Sequence, residues 1–141
     1  MFCDNSIFFV FTSCLGAGFN SNSNRHAYDI TLLATQLFKT TRSMQLSECP
    51  AQSINLQAGI HTGPCTGGLI HAAGGSTNYT LLGEAVDAAM CLQRDSLPHC
   101  IHASKKTTHY LSGSEFNIVA RTTYKLKLEK QIVRTCWVAE K

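Results

Sequence analysis

The sequence predicts an α+β domain, with helices laid on a mostly antiparallel sheet. Three observations carry this. Short apolar or alternating runs recur between turn residues. Two longer segments place apolar residues at helical spacing. The elements follow one another as strand, helix, strand, strand, helix, strand, helix, strand, strand, with hairpin-length connections between successive strands.

Residues 6–12 are aromatic and β-branched and read as a buried strand, followed by a Gly/Ser/Asn-rich loop over 16–24. In 25–41, Ile30, Leu33, Leu37 and Phe38 recur at helical spacing and predict an amphipathic helix. Residues 42–53 carry Pro50 and read as a loop. Ile54, Leu56, Ala58 and Ile60 alternate with Asn55, Gln57, Gly59 and His61, the pattern of a half-buried strand, which Gly63-Pro64 is expected to break. A second strand starts at Gly67, turns through 73–76 and returns over 79–82. The segment 85–94 predicts a helix with Val86, Ala89, Met90 and Leu92 on its apolar face. A short strand over 100–103 leads to Ser104, a residue suited to cap a helix over 105–111. Two closing strands are expected around 118–128 and 132–138.

A length of 141 residues suits one domain and leaves no room for a second core of normal size. Charged residues make up 15%, below the roughly 25% usual for soluble domains. Either uncharged polar residues cover the surface, or part of it is buried against a partner. The net charge of +3 is dispersed, which argues against nucleic acid or a membrane surface as partner. The seven cysteines are odd in number and lack CxxC spacing, so a disulfide framework is not indicated and a reducing, cytoplasmic setting is expected. Cys100-Ile101-His102, with His99 beside it, is too compact for the usual zinc ligand pattern. The apolar run 7–11 is too short for a signal peptide, and nothing approaches the roughly 20 apolar residues of a membrane helix.

Three segments together resemble the class III adenylyl/guanylyl cyclase family. Leu56-Gln57-Ala58-Gly59-Ile60-His61-Thr62-Gly63-Pro64 is similar to that family's strand and turn "hydrophobic-x-x-G-h-H-[ST]-G". Residues 79–93, from Tyr79-Thr80-Leu81-Leu82-Gly83-Glu84 through Asp87 and Cys91 to Gln93, resemble its "Y-x-h-h-G-[DE]-x-V-N-x-A-[AS]-R-[LM]-[EQ]" box. Arg134-Thr135-Cys136-Trp137-Val138 is close to its terminal "x-T-Y-W-L" strand. Order and spacing agree across essentially the whole chain. The resemblance implies a ferredoxin-like cyclase fold, here without that family's N-terminal strand and helices. Loss of that central strand is expected to leave an exposed sheet edge.

The resemblance also implies a reaction: attack of a ribose 3′-hydroxyl on an α-phosphate, with loss of pyrophosphate, at a site shared between two domains. Two divalent cations, Mg or Mn, serve it and require two carboxylates. Asp4, in the stretch Phe2-Cys3-Asp4-Asn5-Ser6-Ile7, matches one of them; the other lies upstream of Met1 in the family. The family's transition-state Asn falls on Asp87 and its Arg on Cys91. Thr80 matches a purine-selecting position and leans toward ATP over GTP, while Lys127 or Lys130 matches the triphosphate-binding lysine. These substitutions imply little turnover from this chain alone. They fit a half that needs a homo- or heterodimeric cyclase partner, as in the first catalytic half of soluble adenylyl cyclases. The alternative is a regulatory or dimerisation module without catalysis.

Overall fold

The computed structural model describes residues 4–10, 13–19, 25–44, 54–72, 74–128 and 131–141, of which 4–10, 122–128 and 131 are described by backbone alone. Eight strands and three helices alternate as β1 (Asp4–Val10), β2 (Ser13–Ala17), α1 (His26–Ser43), β3 (Ala58–Pro64), β4 (Thr66–His71), β5 (Thr77–Leu82), α2 (Glu84–Arg94), β6 (Ile101–Ser104), α3 (Lys105–Tyr110), β7 (Phe116–Leu128) and β8 (Gln131–Glu140). Six strands form one sheet in the order β2-β1-β3-β6-β8-β7, and β4 and β5 pair separately. All neighbours in the large sheet are antiparallel except β3 and β6. That parallel pair is joined by a crossover through β4, β5 and α2, as parallel strands require.

Alternation along β3 sorts the helices onto two faces. Ala58 and Ile60 pack with Ala27, Ile30, Ala34 and Phe38 of α1, and with Leu111 just beyond α3. The other face of β3 receives α2: a Cβ on Gly59 would lie 2.2 Å from both the Ala89 carbonyl oxygen and the Gln93 amide nitrogen. The α2 backbone therefore rests directly on the strand. Ala85 and Ala89, both fully buried, keep the helix that close. Layering is α1 and α3, then the sheet, then α2.

Each helix forms where its apolar stripe meets the sheet. In α1 the buried positions are His26, Ala27, Ile30, Thr31, Ala34 and Phe38, spaced as one face of a helix. Leu33, expected on that face, stands at its margin and is 37% exposed, because small Ala34 and self-satisfied Thr31 take the contact instead. The Thr31 hydroxyl donates to the Ala27 carbonyl at 2.7 Å, so its burial leaves no unmet donor. In α3, Ser104 Oγ accepts from the Thr107 amide at 3.4 Å, the expected cap.

Four expectations change. Gly16 and Ala17, read as the start of a loop, belong instead to the edge strand β2, because the Ser13–Ala17 backbone pairs with β1 from Ser6↔Ala17 to Val10↔Ser13. Cross-strand pairing outweighs the weak strand preference of Ser, Gly and Ala. The strand expected from Ile54 starts instead at Ala58, where β6 begins to pair with it. Before that point Leu56 accepts from the His99 amide in the turn preceding β6. Gly63-Pro64 do not break β3, since β1 pairs with both, Asn5↔Gly63 and Asp4↔Pro64. That same seven-residue ladder seals the sheet between β1 and β3, so among the described residues its open edges are β2 and β7 and no inner edge stands exposed.

Replacing Gly59 with Ala forces α2 away from β3, because both atoms a methyl group would meet are backbone. The expected cost is about 1–3 kcal/mol or somewhat more, read as a lower urea midpoint with unchanged slope; an unaltered midpoint would contradict the backbone contact.

Candidate active site

One end of the sheet gathers most of the matched positions. β3 and β6 end there and β1 begins there, with Asp4 opposite Pro64. Both projecting hairpins leave from the same end. β4–β5 follows directly on β3, and the distal part of β7–β8, from Lys125↔Arg134 to Leu128↔Gln131, runs beyond Ser104↔Thr135, the last pair with β6. Lys127 pairs with Ile132 on that arm. Its side chain and the whole of Lys130 lie outside the described residues, as does the side chain of Asp4.

Gly83 sets where α2 starts. Its φ of 134° is open to glycine, and a Cβ would lie 3.0 Å from the Pro64 carbonyl oxygen and 3.1 Å from Cys65 Cα. The first turn of α2 is thereby laid against the β3–β4 junction. Glu84 and Asp87 are exposed in that turn, where the helix N-terminus favours carboxylates. Cys91 follows four residues later, on the same side of the helix, and is half-buried.

Thr80 pairs with Gly68 in the β4–β5 hairpin. A side chain at Gly68 would meet nothing within 4 Å, so Thr80 is half-buried on an open face. The opposite face is occupied: Tyr79 lies across Gly67, with its hydroxyl where a Gly67 side chain would stand. Leu69, Tyr79 and Leu82 are 65%, 63% and 58% exposed on this hairpin.

Beneath the site a buried hydroxyl network ties β3 to α3 and β6. Thr62 Oγ1 donates to Thr107 Oγ1 at 3.1 Å, Ser104 Oγ and Thr107 Oγ1 are 3.0 Å apart, and Thr107 Oγ1 is 3.4 Å from the Ile60 carbonyl oxygen. Cys14 and Cys65 pack on the Ala85, Val86 and Ala89 cluster of α2. Burial, and then the neighbouring Cys65, push the Cys14 thiol above its ordinary range, which keeps it protonated.

Sequence reasoning missed a second set of residues, at the far end of α2. His102 is fully buried, and its Nδ1 lies 2.9 Å from the Leu92 carbonyl oxygen. Its ring is 4.7 Å from that of Trp137, and the Arg121 guanidinium lies 5.0 Å over the indole. The sequence offered only the crowding of Cys100, His102 and His99. His99 instead turns to the edge of Phe38 in α1, away from His102. Among the described residues no group of three His, Cys, Asp or Glu is placed to hold a metal ion. Asp4 is the one matched metal-binding carboxylate in this chain, and its side chain lies outside the described residues.

This α+β fold, with helices on both faces of its sheet, matches that of solved nucleotide cyclase domains. The chain belongs to the adenylate and guanylate cyclase catalytic domain family, whose model matches residues 8–140. It is 30% identical over 122 residues to guanylate cyclase 2D of Rattus norvegicus, covering 85% of this chain and 11% of that protein. The fold matches the guanylate cyclase domain of RhGC from Catenaria anguillulae, solved in complex with GTP, at a TM-score of 0.71 and 22% identity, over 89% of this chain and 65% of that one. It matches the adenylyl cyclase CyaB from P. aeruginosa at a TM-score of 0.73 and 18% identity, over 97% and 72% of the two chains.

Thr107→Val removes the hydroxyl that joins Thr62, Ser104 and the Ile60 carbonyl while keeping side-chain shape. We expect a loss of about 1–3 kcal/mol in chemical denaturation; a neutral result would show that the network contributes nothing.

Proposed function

We propose that this domain is one half of a shared nucleotide cyclase site: it turns over no substrate by itself and acts with a complementary half. One observation carries the reading. α2 presents an exposed carboxylate, Asp87, and a thiol, Cys91, where the matched family segment has Asn and Arg. Neither supplies a cation to the charge that develops on the phosphate, and losing one such donor typically costs on the order of 10²–10³ in rate. The complementary half supplies those donors, and this chain contributes Asp4 to a metal pair completed by a further carboxylate. Thr80 and the Lys127/Lys130 region are its substrate-facing positions, with the nucleoside triphosphate, ATP or GTP, as ligand.

Exposed apolar side chains on the β4–β5 hairpin support a cyclase domain as partner, in a homo- or heterodimer. They also favour the second of the two explanations for the low charge content, a surface covered by a partner. The same observation supports a second reading, a dimerisation module that binds without catalysis. Cys14, Cys65, Cys91, Cys100 and Cys136 are thiols outside any disulfide, which fits a cytoplasmic setting. Among the described residues no helix is long and apolar enough to cross a membrane.

The test is cyclic-nucleotide formation, read by mass spectrometry from ATP and from GTP with Mn²⁺ or Mg²⁺. The chain alone is expected to give none, and its mixture with a cyclase domain carrying Asn and Arg but no metal carboxylates is expected to give product that Asp4→Asn abolishes. Turnover by the chain alone would overturn the proposal. Binding of the partner without product in any mixture would establish the second reading.

A further inference from the structure

α2 is held differently at its two ends. Glycines seat its start and its length along β3, with Gly83 against Pro64 and Gly59 under Ala89 and Gln93. Its last turn is held in addition by side chains from the sheet. The Leu92 carbonyl oxygen lies 2.9 Å from His102 Nδ1 on β6, and the Asp95 carbonyl accepts from an Arg121 guanidinium nitrogen on β7 at 3.2 Å. Trp137 on β8 lies between them, one face toward the imidazole and within reach of the guanidinium. Register brings the three together: His102 pairs with Trp137, Trp137 pairs with Val119, and Arg121 stands two residues further on the same face. Carbonyl groups of a helix's last turn lack partners within the helix, so these two bonds satisfy orphan acceptors.

A carbonyl only accepts, so the neutral His102 ring carries its proton on Nδ1. A second proton would put a full charge on a side chain with no exposed surface. Charged groups face that ring from two sides. Arg121 opposes the added charge from β7, and Asp95, beyond the end of α2, favours it. On the side of β3 the paired residue is Gly59, with His61 two positions along the same face, and Arg94 of α2 is exposed. Burial is the largest influence, and it holds His102 below its ordinary value of 6.5 despite the bond to Leu92.

We propose that His102 is the positioning residue for the C-terminal end of α2 and a proton-operated latch: proton uptake by its ring releases that end of the helix from the sheet. The state that accepts the proton is the one in which water reaches the imidazole, and that requires the last turn of α2 to lift from β6 and Trp137. A histidine depressed in the folded state contributes its full stability above 6.5. That contribution falls as pH drops below 6.5 toward the depressed value. The helix so released carries Asp87 and Cys91, so acid alters the face that the proposed partner meets. The latch itself does not rest on the cyclase reading and operates whether or not the domain turns over substrate.

The test is amide hydrogen exchange of the intact chain, followed by NMR from about pH 8 to about pH 5 and corrected for intrinsic exchange. Opening of the Leu92–Asp95 amides is expected to be flat above 6.5 and to rise by up to about tenfold per pH unit below it. His102→Gln keeps a donor for the Leu92 carbonyl without the titration, and is expected to abolish that rise. A flat wild-type profile, or the same rise in His102→Gln, would overturn the proposal. Should His102→Gln fail to fold, the wild-type ring titration decides. A midpoint below 6.5, shared by the Leu92–Asp95 amide shifts, supports the latch; a midpoint at or above 6.5 rejects it.

Discussion

Contact between the α2 backbone and β3 governs where the rest of this domain can lie. A helix normally stands off a sheet on a layer of side chains. Gly59 removes that layer at the centre of the contact, and Ala85 and Ala89 thin it on the helix side. Because the facing atoms at Gly59 are backbone, neither surface can yield by changing a rotamer. The helix is fixed in height over the strand, and Gly83 fixes where it starts along it. Asp87 and Cys91 inherit their positions from these glycines, without any hydrogen bond of their own to the sheet.

Much of the fold was legible because its elements carry their period in sequence. The alternation ending at His61, the helical spacing of α1 and α2, and the Ser104 cap each follow from local chemistry. The errors arose where a partner strand decides. Ser13–Ala17 has no strand signature, and only pairing with β1 makes it a strand; Ile54 and Leu56 alternate correctly but lie beside a turn. Leu33 was assigned to the buried face on hydrophobicity, while the structure buries Ala34 and Thr31, whose size and self-satisfied hydroxyl suit the close approach.

The site divides in the same way. Thr80, Asp87 and Cys91 were identifiable from a linear motif, because β5 and α2 follow one another directly through Gly83. The structure adds their setting: an open face beside Gly68, an exposed first turn, a half-buried thiol. His102, Trp137 and Arg121 belong to three strands and meet only through register. No spacing in the sequence encodes that stack. The one local hint, histidines and a cysteine near residue 100, is too compact for a zinc site, and the two histidines meet different rings, His99 that of Phe38 and His102 that of Trp137.

Electrostatics at the start of α2 supports the partner proposed for this face. The N-terminus of a helix carries a partial positive charge suited to an anion such as a phosphate. Here two carboxylate side chains, Glu84 and Asp87, stand exposed in that first turn and oppose the helix's own field. A triphosphate approaching this turn meets repulsion that the helix dipole, equivalent to roughly half a charge, does not overcome. Cys91, a half-buried thiol, brings no positive charge to counter it. The face is thus better matched to a cationic surface than to a polyphosphate. A partner that brings arginine or lysine to this turn, together with apolar groups to cover the β4–β5 hairpin, would satisfy both halves of the surface at once.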